Sequence, residues 1–178
     1  MKIRRTLLGL TISILSVMSL SDIWNIQKVL AESVNDTNSK QAVCSNFVTG
    51  TYLTTIKNSK GKFASRGLIT LTKEGNFIVG DSDQGGVSGV FNPFTTGQGT
   101  WACTGRKEIT ARAIDFSLSN QGGTGIARAD YSATFDPTTQ TVQGTISLHF
   151  FPLQSNPLEG SGTNGGTTFF TGKLVTAK

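Results

Sequence analysis

From residue 47 onward the chain alternates between apolar and polar residues, in runs separated by short breaks rich in glycine, asparagine and aspartate. In residues 127–135 one parity carries only alanine, tyrosine and phenylalanine, and the other carries arginine, aspartate, serine and threonine. In residues 142–150 valine, isoleucine, leucine and phenylalanine alternate with polar residues in the same way. A period of two is typical of strands in a sheet with one buried face. The pattern therefore predicts an all-β fold.

Eight such segments follow one another, and most are joined by short turns. They cover residues 47–57, 65–73, 77–83, 98–104, 108–119, 126–135, 141–151 and 167–176. Because short links pair sequence-adjacent strands antiparallel, and closure removes exposed sheet edges, we expect a single eight-stranded antiparallel up-and-down β-barrel. A β-sandwich of the same strands is the alternative, and a reversed barrel with a polar lumen and a lipid-facing band is another.

A glycine-spaced tryptophan marks the fourth segment. Gly97, Gly99 and Trp101 share one parity, so all three point to one face of the sheet. Glycines at such positions leave space for a bulky neighbour or allow the sheet to coil sharply. We therefore expect Trp101 to close one end of the barrel or to form the floor of its cavity. Cys103 continues on this face and could reach Cys44, which lies just before the first segment.

The start of the chain has the pattern of a secretory leader. Basic residues precede an uncharged, largely apolar run over residues 7–20, and small residues favour cleavage after Ala31. We expect a signal peptide over residues 1–31, a flexible lead-in over 32–45 and the barrel domain over 46–178. An uncleaved N-terminal anchor is the alternative. Export to a secreted or periplasmic location favours a disulfide between the two cysteines of the chain.

The charge of the chain belongs largely to this leader. The net charge is +5, and residues 1–31 hold four basic side chains and one acidic one, so the remaining chain carries only +2. No basic stripe is interleaved with aromatic residues, and the composition therefore gives no support to nucleic-acid binding. Once the leader is cleaved, no stable membrane span is expected.

Few residues have the spacing of a catalytic or metal-binding site. His149 is the only histidine, and it falls on the polar parity of its segment, where a surface position is favoured over a general base. With two cysteines expected to be oxidised, no zinc ligand set remains, and no cofactor motif is present. Glu108 and Asp115 have opposite parity and so do not form a paired-carboxylate site.

Asp115 is an acidic residue on the apolar parity of its segment. It shares its parity with Ile109 and Ala113. If that face is inward, Asp115 is a buried acid that needs a partner and is a candidate for ligand contact. A position at the rim of the barrel, in water, is the alternative.

Three charged residues fall on the polar parity of two neighbouring segments. Arg128 and Asp130 lie two positions apart, and Arg112 lies on the preceding segment. Cross-strand charge pairing on the outer surface accounts for all three.

The two longest loops are expected to surround the mouth of any cavity. They cover residues 81–97 and 152–166, and the first holds two phenylalanines that could form an apolar lip. The candidate ligand-binding residues are therefore Trp101, Asp115, Tyr131, Phe91 and Phe94.

The spacing Gly97-x-Gly99-x-Trp101, a following Thr-Gly turn and the chain of regular hairpins resemble small lipocalin-like, or calycin, barrels. The region from residue 47 to residue 175 is also similar to the barrel of allene oxide cyclases and dirigent proteins, and to bacterial proteins of undescribed activity with that barrel. The resemblance implies an exported eight-stranded barrel. A lipocalin carries its Gly-x-Trp on the first strand, whereas here the tryptophan falls on about the fourth. No catalytic residue of the cyclases has a counterpart to which it can be assigned.

These observations favour an exported barrel that binds a small apolar or amphipathic molecule. One alternative is an enzyme of the cyclase or isomerase type, in which the cavity holds a flexible substrate in a reactive shape. The other is a structural or surface-interaction protein that associates through exposed strands and phenylalanines. The ligand and the oligomeric state do not follow from the sequence.

Overall fold

A computed structural model of the chain describes residues 44–88, 92–118 and 125–177. Within these ranges the chain forms eight strands that follow one another around a closed barrel. The strands are β1 Gly50–Lys57, β2 Phe63–Leu71, β3 Asn76–Asp81, β4 Gly97–Cys103, β5 Glu108–Ser117, β6 Gly125–Asp136, β7 Thr141–Pro152 and β8 Thr163–Leu174. Each pairs antiparallel with the next, and β8 pairs with β1. The predicted antiparallel up-and-down barrel is confirmed, and the β-sandwich alternative is wrong.

The two regions predicted before the barrel domain lie largely outside the described residues. The expected signal peptide over residues 1–31 lies outside the described residues, as does most of the expected lead-in over 32–45. Within the described ranges, no helix is long and apolar enough to cross a bilayer.

The apolar parity of the strands faces the interior of the barrel. On β6, Ala129, Tyr131 and Phe135 are buried, and on β7 Val142 and Ile146 are buried beside them. The interior is therefore apolar, as the alternation predicts, and not the polar lumen of a reversed barrel. Ring contacts across the interior join strands that are not neighbours: Tyr52 of β1 packs edge-on against Phe135 with ring centroids 5.2 Å apart.

Gly99 lets two neighbouring strands approach closely. A Cβ at this position would collide with the backbone carbonyl of Arg112 on β5, which pairs with β4. Gly144 on β7 has the same relation to the carbonyl of Ser132 on β6. Because a side chain cannot be accommodated at either place, these glycines allow the sheet to coil into a narrow barrel.

A short helix closes the end of the barrel at which β1 begins. Helix α1, Cys44–Val48, precedes β1, and the side chains of Cys44 and Val48 are fully buried. The Cys44–Cys103 disulfide, with its Cα atoms 6.3 Å apart, joins α1 to the end of β4, as predicted. Trp101 packs at this end, and its indole N–H donates a hydrogen bond to the carbonyl oxygen of Thr72 over 3.0 Å.

The helix corrects two boundaries drawn from the sequence. Residues 47–49 are not part of the first strand, which begins at Gly50. Cys44 and Ser45 belong to α1 and not to a flexible lead-in, because the disulfide and the packing of Val48 hold the helix on the barrel.

The loop between β7 and β8 folds back over the outer face of β6. Arg128 faces outward on β6 but is only 6% exposed, because this loop covers it. Its guanidinium donates hydrogen bonds to the carbonyl oxygens of Pro157 (2.8 Å) and Gly160 (3.1 Å). The same group lies 5.2 Å from the ring centroid of Phe151 on β7. Arg128 thus fastens the loop to the barrel through the loop's own backbone.

Asp130 joins two arginines on this outer face. Its carboxylate accepts hydrogen bonds from the Nε atoms of Arg112 (2.6 Å) and Arg128 (3.0 Å). The predicted cross-strand charge pairing is confirmed. His149 also faces outward, as predicted, and its Nδ1 lies 2.7 Å from the carbonyl oxygen of Ser161 in the loop.

Candidate functional site

The end of the barrel opposite α1 holds a cavity of about 240 Å³. It lies where β1, β3, β5 and β7 end and the other four strands begin. Apolar side chains form most of its wall, and a small number of polar groups project into it. The apolar lining residues are Ile56, Ala64, Val79, Phe94, Ala113, Ala129, Ile146 and Leu148, and the polar ones are Ser65, Asp81, Asp83, Asp115, Tyr131 and Thr168.

Asp115 projects into this cavity from the end of β5. Its parity is the inward one of Ile109 and Ala113, as the sequence pattern indicates. Burial among apolar groups raises the pKa of the Asp115 carboxyl to about 6. Among the described residues, none donates a hydrogen bond to this carboxylate, and none forms an ion pair with it. Asp115 is therefore an acid in an apolar environment with no counter-charge from the described chain.

Asp81, at the end of β3, is a second inward carboxylate, and it was not among the residues predicted from the sequence. Ser65 Oγ donates a hydrogen bond to one of its oxygens (3.1 Å), and the backbone N–H of Asp83 donates to the other (2.9 Å). Burial nevertheless raises the pKa of the Asp81 carboxyl, against the lowering effect of these two hydrogen bonds. Its parity with Phe77 and Val79 was the signal that could have identified it.

Tyr131 of β6 lies between the cavity and the closed end. Its ring packs edge-on against Phe77 (centroids 4.8 Å apart) and Phe170 (6.0 Å). Burial raises the pKa of the phenol, and the nearby charges of Asp81 and Asp115 raise it further. The side chain is thus held neutral, in a fixed orientation, beneath the two carboxylates.

The hydroxyl of Tyr131 reaches the space of the cavity. The residue is only 6% exposed, yet no described residue forms a hydrogen bond with its hydroxyl oxygen. In the described part of the chain, no side-chain nitrogen or oxygen is both sealed from solvent and unpaired. The Tyr131 hydroxyl therefore faces open volume. Because Tyr131 lies on the inward parity of β6, this volume is the cavity inside the barrel rather than the outer groove that the residue also borders.

The remaining sequence candidates fall in different places. Phe94 lines the cavity, and its backbone N–H donates a hydrogen bond to the carbonyl of Gln84, which holds the loop between β3 and β4 across this end. Trp101 lies at the closed end and does not line the cavity. Phe91 lies outside the described residues. Of the five candidates, the cavity therefore brings together Asp115, Tyr131 and Phe94.

No family model, no curated protein and no solved structure matches the chain. The Cys44–Cys103 disulfide is compatible with an extracellular or periplasmic protein, since disulfides persist in oxidising compartments. The chemistry of the cavity is therefore the basis for inferring a function.

Burial of Asp115 predicts an unusual dependence of stability on pH. The pKa of this carboxyl is ~3.9 in an unfolded chain, and burial in the barrel raises it to about 6. Between these values the folded chain binds a proton that the unfolded chain does not, so this group lowers the free energy of unfolding as pH rises from about 4 to about 6. We expect Asp115→Asn to become more stable relative to the wild type over this window, as measured by urea unfolding at a series of pH values.

Asp136 provides the control of opposite sign. Hydrogen bonds from Thr139 and Thr138 lower the pKa of this exposed carboxyl, so its stabilising contribution appears as pH rises through the acidic range. Asp136→Asn should therefore lose stability relative to the wild type as pH rises. A constant difference between the wild type and Asp115→Asn across pH 4 to 6 would contradict the burial of the Asp115 carboxylate.

Proposed function

We propose that the protein binds a small, largely apolar molecule inside the barrel. The observation that carries this proposal is the cavity of about 240 Å³ at the end opposite α1, with its apolar wall and few polar groups. Ligand sites in proteins have this composition, in which apolar side chains provide the contact area and a few polar groups fix orientation. An eight-stranded barrel is wide enough to hold one small ligand.

Filling the cavity tests the proposal. Ala129 lines the cavity and Ala102 faces outward on β4, so Ala129→Phe and Ala102→Phe add the same ring to the inside and the outside. Apolar one-ring compounds, such as propylbenzene and indole, should raise the melting temperature of the wild type and of Ala102→Phe. At a concentration of 100 times Kd the stabilisation should be about 2.7 kcal/mol. Ala129→Phe should show no such shift, because its ring occupies the ligand's volume.

Overpacking is expected to cost Ala129→Phe about 1–3 kcal/mol, so near-ultraviolet circular dichroism is needed to show that it remains folded. Equal melting shifts in the folded Ala129→Phe variant and the wild type would place the ligand outside the cavity. Absence of any shift in the wild type, across compounds that fit the volume, would remove the proposal.

An enzyme of the cyclase or isomerase type is the second candidate. The raised pKa of Asp115, near 6, favours it, since a carboxyl poised near neutral pH inside a cavity can take up and release a proton. Compounds that bind are to be recovered and compared with the starting material by nuclear magnetic resonance. A product of unchanged mass and altered structure supports catalysis, and unchanged compound supports a binding protein.

We further propose a secreted or periplasmic location, with cleavage of the leader after Ala31. The basic start and apolar run of residues 1–20 support it, together with the disulfide. The resemblance to calycin-like and allene oxide cyclase-type barrels stays a prediction, and the consecutive order of the eight strands agrees with it.

A further inference from the structure

We propose that the ligand is a lipophilic amine, bound with its ammonium group between Asp115, Asp81 and the hydroxyl of Tyr131. This inference rests on the proposed binding function and names the chemical class that the site selects.

The charge of the cavity is the first argument. The titratable groups that line it are Asp81, Asp83, Asp115 and Tyr131, and no described lysine, arginine or histidine is among the lining residues. A carboxylate removed from water without a positive partner is destabilised. A cation that enters the cavity supplies the missing partner, whereas an anion adds a like charge and a neutral molecule leaves the carboxylates uncompensated.

The hydrogen-bonding capacity of the cavity is the second argument, and it is independent of the charge. An ammonium group has three N–H donors and no acceptor. The Asp115 carboxylate accepts no hydrogen bond from the described residues, and the buried Tyr131 hydroxyl has no partner among them although it reaches the cavity. Ser65 and the backbone of Asp83 each donate one hydrogen bond to the Asp81 carboxylate, and its oxygens retain lone pairs that can accept further hydrogen bonds. An ammonium thus has three donors, and the residues that line the cavity offer three sources of acceptors.

The size and wall of the cavity decide between an organic cation and a metal ion. A dry apolar cavity of about 150 Å³ accommodates benzene, so a volume of about 240 Å³ suits one ring with a short alkyl chain. Ile146, Leu148 and Ala113 offer such a ring an apolar wall. Among the described residues, no three acidic, histidine or cysteine side chains converge as metal ligands would. The cavity therefore fits an amine with an apolar body better than a metal ion.

Two probes of matched shape test the inference: phenethylamine, and propylbenzene, in which a methyl replaces the ammonium group. Their affinities are measured by isothermal titration calorimetry at neutral pH, with the full chain. The wild type should bind phenethylamine more tightly than propylbenzene. Asp115→Asn should weaken phenethylamine at least about tenfold, which is the loss expected for a hydrogen bond between charged groups, and should leave propylbenzene unchanged or bound more tightly. Asp81→Asn, which keeps an oxygen for the Ser65 hydrogen bond, should act in the same direction.

Glu159→Gln is the matched control, because it removes one negative charge from an exposed loop position outside the cavity. It should leave both affinities unchanged. A loss of phenethylamine affinity equal to that of Asp115→Asn would show that the effect comes from the net charge of the protein, and it would overturn the inference. Equal wild-type affinity for the two probes, or an unchanged phenethylamine affinity in Asp115→Asn, would overturn the amine inference and leave the binding function standing. If the wild type binds neither probe, both proposals fall.

Discussion

Replacing Cys44 and Cys103 together with alanine is expected to lower the free energy of unfolding by about 4 kcal/mol. The disulfide closes a loop with a sequence separation of 59 residues, and on the chain-entropy account a loop of this length constrains the unfolded chain by that amount. It is also the covalent link between α1 and β4. Besides Cys44, the helix buries Val48 in the core at this end of the barrel.

Urea unfolding, followed by far-ultraviolet circular dichroism, measures the loss. The wild type under reducing conditions should show a loss of similar size, which controls for the packing change at the two alanines. Val48→Ala, with the disulfide intact, separates the helix packing from the cross-link and should lose about 1–3 kcal/mol, as expected for truncation of a buried apolar side chain. A double alanine variant less than about 1 kcal/mol below the wild type would show that the cross-link does not constrain the unfolded chain.

Arg128→Ala is expected to lower the free energy of unfolding by about 3 kcal/mol, a large effect for a residue on the outer face of a strand. The substitution removes two hydrogen bonds from a charged group to the carbonyls of Pro157 and Gly160, together with the contact of the guanidinium with Phe151. It also leaves Asp130 with Arg112 as its remaining arginine partner. Detachment of the loop between β7 and β8 should accompany the loss of stability, since Arg128 binds this loop through backbone atoms.

Arg112→Ala is the matched control, because Arg112 pairs with the same carboxylate from a side chain that is 43% exposed. An exposed ion pair contributes at most about 1 kcal/mol, so this variant should remain close to the wild type. Hydrogen exchange of the amides in residues 153–162 provides a second readout, and it should accelerate in Arg128→Ala alone. Similar losses of stability in the two variants would show that Arg128 acts through Asp130 and not by fastening the loop.

Most of the barrel could be predicted from the sequence because the patterns that specify its strands and turns are local. Period-two alternation indicates which face of each strand is inward, and turn residues separate the strands. Tyr131 was therefore predicted to face inward, whereas the pattern left Asp115 either inward or at the rim of the barrel in water. Helix α1 could not be predicted, because five residues span little more than one turn and carry no usable periodicity. The burial of Arg128 was missed for another reason: parity identifies the outer face, but it does not reveal that a distant loop covers that face.

The candidate site required information that alternation does not contain. Asp81 and Asp115 lie on β3 and β5, which are separated by β4. How deep each of them lies in the barrel depends on the register of the β3–β4 and β4–β5 pairs. In those pairs Val79 lies opposite Gly97, and Gln98 lies opposite Ile114. The up-and-down strand order places the ends of β3 and β5 at the same end of the barrel, and this register sets how deep each aspartate lies. The parity of each aspartate is that of the inward residues, but the register is needed to show that both line the same cavity.

The closure of one end by α1 and the disulfide has a kinetic consequence. In the part of the chain that the structure describes, the cavity lies at the end opposite the helix, so a molecule bound in it would arrive and depart at that end. A bulkier side chain at that end, placed where it does not touch the occupant, would raise the barrier in both directions equally. Association and dissociation rate constants would then fall together, and the residence time would lengthen while the equilibrium constant stayed the same.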